Sequence, residues 1–176
     1  MVVRSVLLLG DPRLRERSLP VPPDAIGSPE LNQLIDDLRD TMAAREGAGL
    51  AAPQIGVLWR VVIFGITHNR RYPEAPPIPE TILINPEWTP LDEEQESGWE
   101  GCLSVPGRRA QIPRARRLHY QALTPDGQRI QRTVEGFHAR VVQHEGDHLN
   151  GVLFPDRLPP ADSVAPEEDA ETGVSG

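Results

Sequence analysis

Apolar positions along the chain switch between two periods, and each switch marks an element. Leu31, Leu34, Ile35, Leu38 and Met42 recur at helical intervals behind Ser28-Pro29. Serine suits an N-cap and proline a first turn, so the pattern predicts an amphipathic helix that ends before Gly47 and turns Asp36, Asp37, Arg39 and Asp40 outward. Residues 57–64 (VLWRVVIF) and 81–85 read as strands, the first of them buried. Residues 118–123 and 130–134 flank Thr-Pro-Asp-Gly, whose proline and glycine suit a tight turn, and together predict a β-hairpin. A second helix is predicted over residues 136–150, closed by Gly151.

The remaining segments carry less periodicity. Residues 1–9 read as a short strand entering a turn at Gly10-Asp11-Pro12, not as a signal peptide. Residues 47–56 (GAGLAAPQIG) are too glycine-rich for a helix and too irregular for a strand, and their backbone can approach another group closely. Residues 68–79 hold four prolines and read as a surface loop. Residues 87–100 carry six acids and no base, which reads as a solvated loop or edge. From Pro159 the chain is acidic and lacks large apolar residues other than valine, so an unstructured tail over 159–176 is expected beyond a catalytic domain spanning 1–158. The order of elements predicts an α+β domain in which antiparallel or mixed sheets pack around a central helix.

Composition narrows the function. A formal charge of −8 argues against DNA or non-specific nucleic-acid binding, and no apolar run approaches the roughly 20 residues of a membrane span. All 18 basic residues are arginine, a skew that suggests a GC-rich coding sequence and says nothing of mechanism. The single cysteine, Cys102, cannot form an internal disulfide, which suits a reducing, cytoplasmic setting.

The chemistry concentrates in the second predicted helix. His144-Glu145-Gly146-Asp147-His148 is an H-E-x-x-H motif, which puts two imidazoles on one helical face where one metal ion can bridge them, with Glu145 placed for proton transfer. Phe137 and Val141 continue that stripe as an apolar face. In the longer metalloprotease pattern a third histidine would stand at position 154, but Phe154 occupies it. Upstream, Cys102 is either a buried small hydrophobe or the third ligand, and a thiolate would favour Fe(II) or Zn(II) over Mg or Ca. Five arginines gather over residues 108–117, either as a solvated basic face or to hold substrate or ribosomal RNA. Another kind of H-E-x-x-H metallopeptidase, or a structural metal module that binds nucleic acid, remains an alternative at this point.

Three segments together, residues 47–56, Glu100-Gly101-Cys102-Leu103-Ser104 and Gln143-His144-Glu145-Gly146-Asp147-His148, resemble the signature motifs of peptide deformylases in the family's order. The resemblance extends through Gly10-Asp11-Pro12-Arg13 and Phe154-Pro155 but not into the tail. It implies a divalent metal, Fe(II) or else Zn(II), Ni(II) or Co(II), held by Cys102, His144 and His148, with Glu145 moving protons. It further implies that Gln54 and the backbone N–H of Leu103 donate to the formyl oxygen. Ala48, Phe137 and Val141 would line a methionine pocket, and Gly49 and Gly101 would pair with an extended peptide. Arg109 would help to hold the substrate, the N-formylmethionyl end of a nascent polypeptide. Better-known bacterial members dock on the ribosome through a long basic C-terminal helix, in place of which this chain has an acidic tail. Gly146 stands inside the ligand helix, where packing must compensate for its low helix propensity.

Overall fold

The computed structural model of the chain describes residues 1–67, 75–159, 165–166 and 173–175. Helix α1 is Pro29–Ala44, capped by Ser28, whose Oγ accepts from the N–H of Leu31 at 3.2 Å. Helix α2 is Gly136–Leu149. In chain order the strands are β1 (Gly49–Ala51), β2 (Val61–Ile66), β3 (Ile78–Pro90), β4 (Gln95–Cys102), β5 (Val105–Ala115), β6 (Arg117–Leu123), β7 (Arg129–Glu135), β8 (Ala165–Pro166) and β9 (Gly173–Ser175). They form two sheets among the described residues, ordered β1-β2-β3-β6-β7 and β8-β5-β4-β9. The architecture is α+β, with α2 between the sheets and in contact with strands of both.

Strand β2 of the larger sheet is covered on both faces, which explains its unbroken apolar run. Successive side chains of a strand point to opposite faces. Val62 and Phe64 therefore join Leu83, Tyr120 and Val142 in the core under α2, while Val61 and Ile63 join Leu31, Leu38 and Leu50 under α1. Strand β3 changes partner along its length, pairing with β2 up to Ile84 and with β6 from Ile84 onward. At that bend Asn85 has φ of 52°, and its side chain bonds the N–H and C=O of Val21.

Both helices and the hairpin of β6 and β7 lie where the apolar periodicity predicts them. Other segments depart from expectation. The buried strand begins at Val61 instead of residue 57, because the backbones of Leu58 and Arg60 are bonded to Leu19. Residues 1–9 form no ladder and hold to the fold through Leu7 N–H to Gln54 C=O and Leu9 N–H to Ser104 C=O. The small-residue run 47–56 does contain a strand, β1, followed by a 3₁₀ turn over Ala52–Ile55. The acidic run is the end of β3 and most of β4, and the arginine-rich run is β5, so the two opposite charge clusters are facing arms of one hairpin. Part of the proline-rich loop, residues 68–74, lies outside the described residues. The segment expected to be an unstructured tail pairs at two places: Ala165–Pro166 with β5 and Gly173–Ser175 with β4. No helix among the described residues is long and apolar enough to cross a membrane.

Candidate active site

Helix α2 is buried continuously from Ala139 to Leu149, so every polar side chain on this stretch needs a partner or a function. The helix is anchored at its end by Arg60, whose Nη1 donates to Leu149 C=O at 2.9 Å. Gly151 follows with φ of 74°, and a Cβ there would run into the Arg15 carbonyl. Gly146, the residue that propensity disfavours, admits the ring of Trp88 from β3, and a Cβ would stand 2.6 Å from that ring.

This anchoring brings His144 and His148 against Cys102 at the end of β4. One ligand atom from each of the three residues lies within 4.8 Å of the others, and Cys102 Sγ is 3.4 Å from His148 Nε2. All three are buried. The donors suit a borderline divalent ion such as Fe(II) or Zn(II). Glu145 completes the constellation: it is fully buried and neither carboxylate oxygen has a hydrogen-bond partner among the described residues. Such a group is costly unless an ion, water or substrate meets it. Burial pushes its pKa up to about 7, the His144 charge opposing and the Glu100 charge adding to the rise.

Behind the histidines stands a buried ionic wall, one member of which, Glu100, the sequence pattern places on the surface. Glu100, read there as part of a solvated acidic run, is 0% exposed. It accepts two hydrogen bonds from Arg114, both at 2.9 Å, one from Arg140 at 2.7 Å, and lies 2.7 Å from His144 Nδ1. Burial by itself would raise the Glu100 carboxyl, but Arg114 and His144 hold it well below the usual carboxylate range. In the neutral ring, Nδ1–H donating to the Glu100 carboxylate leaves the His144 Nε2 lone pair toward the ligand cluster. Arg114 continues to Asp147 at 2.6 Å, and Asp147 accepts two bonds from Arg157. Gly98 lets Arg140 cross β4, since a Cβ would lie 3.0 Å from the guanidinium. Gln143 clamps α2 to the end of β5 by bonding both backbone groups of Ala115. One signal for Glu100 was available: it stands two residues before Cys102 and so shares its face of an extended strand.

The open side is built of small residues and backbone. Gly49 of β1 lies so close to Glu145 that a Cβ would be 2.7 Å from its carboxylate. Gln54 is buried; its Oε1 accepts from Ala51 N–H at 2.9 Å, and its Nε2 donates to Ser104 Oγ at 3.1 Å, with Cys102 Sγ at 3.6 Å. Leu103 follows Cys102 directly and packs on the core under α1. Gly101 and Cys102 line a cleft of about 460 Å³ that Leu103, Arg45 and Arg108 also border. Ala48 and Ile66 form a small apolar cluster that Phe137 packs against, and Phe137 also touches the core containing Val141. Ile66 was absent from the pocket residues chosen by sequence. Arg109, on β5 opposite Gly101, and Arg114 are both buried, so neither belongs to a solvated basic face.

A helix-borne His–Glu–His set, a strand-borne cysteine and an α+β scaffold define the class as an enzyme of the H-E-x-x-H type. Residues 3–164 match the polypeptide deformylase family, and the chain belongs to that family. It is 57% identical over 157 residues to "Peptide deformylase 1" of Nitrosomonas europaea, covering 89% of this chain and 88% of that one. It is 55% identical, at the same coverage, to "Peptide deformylase 1" of Bordetella pertussis. A solved class I type b peptide deformylase from Acinetobacter baumannii with Met-Ala-Ser bound superposes with a TM-score of 0.86 at 41% identity, covering 89% of this chain and 99% of that one. The actinonin-bound structure of the same Acinetobacter enzyme gives 0.82 at 38% identity, with 90% and 100% covered.

Proposed function

We propose that this enzyme removes the formyl group from the N-terminal formylmethionine of new polypeptides and releases formate, using one divalent metal ion held by Cys102, His144 and His148. The observation that carries the reading is the buried Glu145 carboxylate, without a hydrogen-bond partner, beside three convergent metal-ligating side chains. A bound divalent ion supplies Lewis acidity, polarising a carbonyl and lowering the pKa of water. Three protein ligands leave a coordination position for reacting groups, whereas a structural site takes four, and the described residues bring only these three together. His₂Cys donors accept Fe(II), Zn(II), Ni(II) and Co(II), with Fe(II) our choice for the cell.

Glu145 takes a proton from the attacking water and delivers it to the leaving amine. A pKa near neutrality suits both directions of transfer. Gln54 Nε2 and the Leu103 N–H meet the formyl oxygen as negative charge develops on it. Gly49 and Gly101 offer backbone to an extended peptide, in the manner of strand addition, and Arg109 supports this edge from β5. Ala48, Phe137 and Val141 receive the methionine side chain, with Ile66 extending the apolar wall. The tripeptide in the Acinetobacter structure begins with methionine, which supports this choice of substrate. Substrates of this kind arise at the ribosome, so the reading places the enzyme in the cytoplasm with transient ribosome contact.

Formate release from formyl-Met-Ala-Ser by Fe(II)-loaded protein, kept from oxygen, tests the proposal directly. Turnover is expected; well-folded, metal-loaded protein that releases no formate would sink it.

A further inference from the structure

Strand β4 carries Cys102 at its end and has two edges. One is taken along its whole length by β5, from Gln95↔Ala115 to Gly101↔Arg109. The other is taken by the C-terminal segment of the same chain, where β9 runs parallel to β4 in the register Trp99↔Gly173, Glu100↔Val174 and Gly101↔Ser175. Segment β9 also approaches α2, the helix that bears His144 and His148. An extended peptide that pairs with the Gly101 backbone must therefore use the edge that β9 occupies, since a strand has only two hydrogen-bonding edges.

We infer that the C-terminal segment is an intramolecular competitor of the substrate: it covers the β4 edge next to Cys102 and must leave before an extended formyl-peptide can pair there. The inference rests on the proposed deformylase reading, in which Gly101 receives substrate backbone. Tethering favours the paired state, because the segment is always near its site. Its pairing is short, three residues on one edge, so it is readily displaced. Apparent substrate affinity is then the intrinsic affinity multiplied by the fraction of molecules whose edge is open. Chemistry after binding is untouched, because β9 contributes none of the groups assigned to the reaction.

The test uses the full chain and its Gly173→Pro/Val174→Pro variant. Alternate amides of a strand face its neighbour, so substituting two successive residues removes a donor whichever way β9 is turned. With formyl-Met-Ala-Ser as substrate, KM is expected to fall about threefold at unchanged kcat, as if the edge were covered in about two-thirds of parent molecules. Hydrogen exchange supplies a readout independent of turnover: saturating Met-Ala-Ser should speed exchange at the Val174 and Ser175 amides of the parent. Equal KM in both proteins, a change confined to kcat, or exchange at Val174 and Ser175 that ignores the peptide would each overturn the inference while leaving deformylation standing. Absence of formate from both proteins would instead overturn the deformylase reading, and this inference with it.

Discussion

The two sides of His144 could hardly be more different in how their polar groups are satisfied. On the β4–β5 side Glu100, Arg114, Arg140, Asp147 and Arg157 form a chain of bonds at 2.6 to 3.0 Å, and nearly every donor meets an acceptor. On the β1 side the carboxylate of Glu145 faces Gly49 and is buried without a bond. The difference separates two tasks. A closed ionic network fixes ring orientation because each member has one low-energy partner set. An acid buried without a hydrogen bond is suited to proton transfer, because the same burial raises its proton affinity.

The comparison breaks most severely if Glu145 is neutralised. Glu145→Gln is expected to retain metal and lose turnover by about 10²- to 10⁴-fold; metal content beside steady-state rates checks this, and near-parental turnover would remove Glu145 from its role. Next comes the closed side. Glu100→Ala leaves two buried arginines facing a gap and should cost about 3–5 kcal/mol in urea unfolding, while weakening metal affinity by roughly 10–100-fold. Unchanged stability and metal retention in that variant would mean that the wall orients nothing.

A smaller effect is expected at the contact that seats α2. Gly146→Ala should destabilise by about 1–3 kcal/mol through overlap with Trp88, and Trp88→Leu should recover part of that loss. A gain in stability from Gly146→Ala, as helix propensity by itself would suggest, would show that Trp88 yields. The smallest effect concerns His138, away from the ligands, at 5.5 Å from Phe64 between ring centroids. Burial lowers its pKa below 6.5, with Arg132 acting in the same direction. The unfolded chain then takes up a proton near pH 6.5 that the folded chain resists, so stability should fall as pH drops below about 6.5. His138→Gln should flatten that slope, as measured by urea melts at pH 7.5 and 5.5.

Local pattern revealed what local physics decides. The Ser28 cap, the apolar stripe of α1, the turn between β6 and β7 and the two-histidine face of α2 each depend on neighbours a few residues away, and each is where periodicity puts it. Glu100 reads as solvated because it sits in a run of like charges, which is ordinarily solvated, and the arginine run leaves Arg114 open between a solvated face and a binding role for the same reason. What reverses that expectation is the β4–β5 hairpin, which sets Glu96 opposite Arg114 and Glu100 opposite Ala110, bringing acids and bases together across strands. Cross-strand register of this kind leaves no trace in either run taken separately. Ile66 escaped for a related reason: it lies beyond the apolar run 57–64, and nothing nearby shows that Ala48 and Phe137 converge on it.

The spacing of the ligand set along the chain also bears on how the protein matures. Cys102 and His148 are 46 residues apart, and the intervening chain comprises β5, the β6–β7 hairpin and most of α2. Closing so long a loop is entropically unfavourable until those pieces have docked. On the proposed reading the three donors are assembled by the fold and do not nucleate it, which would make metal capture a late event. An ion that binds only the docked chain stabilises it by mass action, and loss of the ion should loosen the β4–β5 arm before it melts α2.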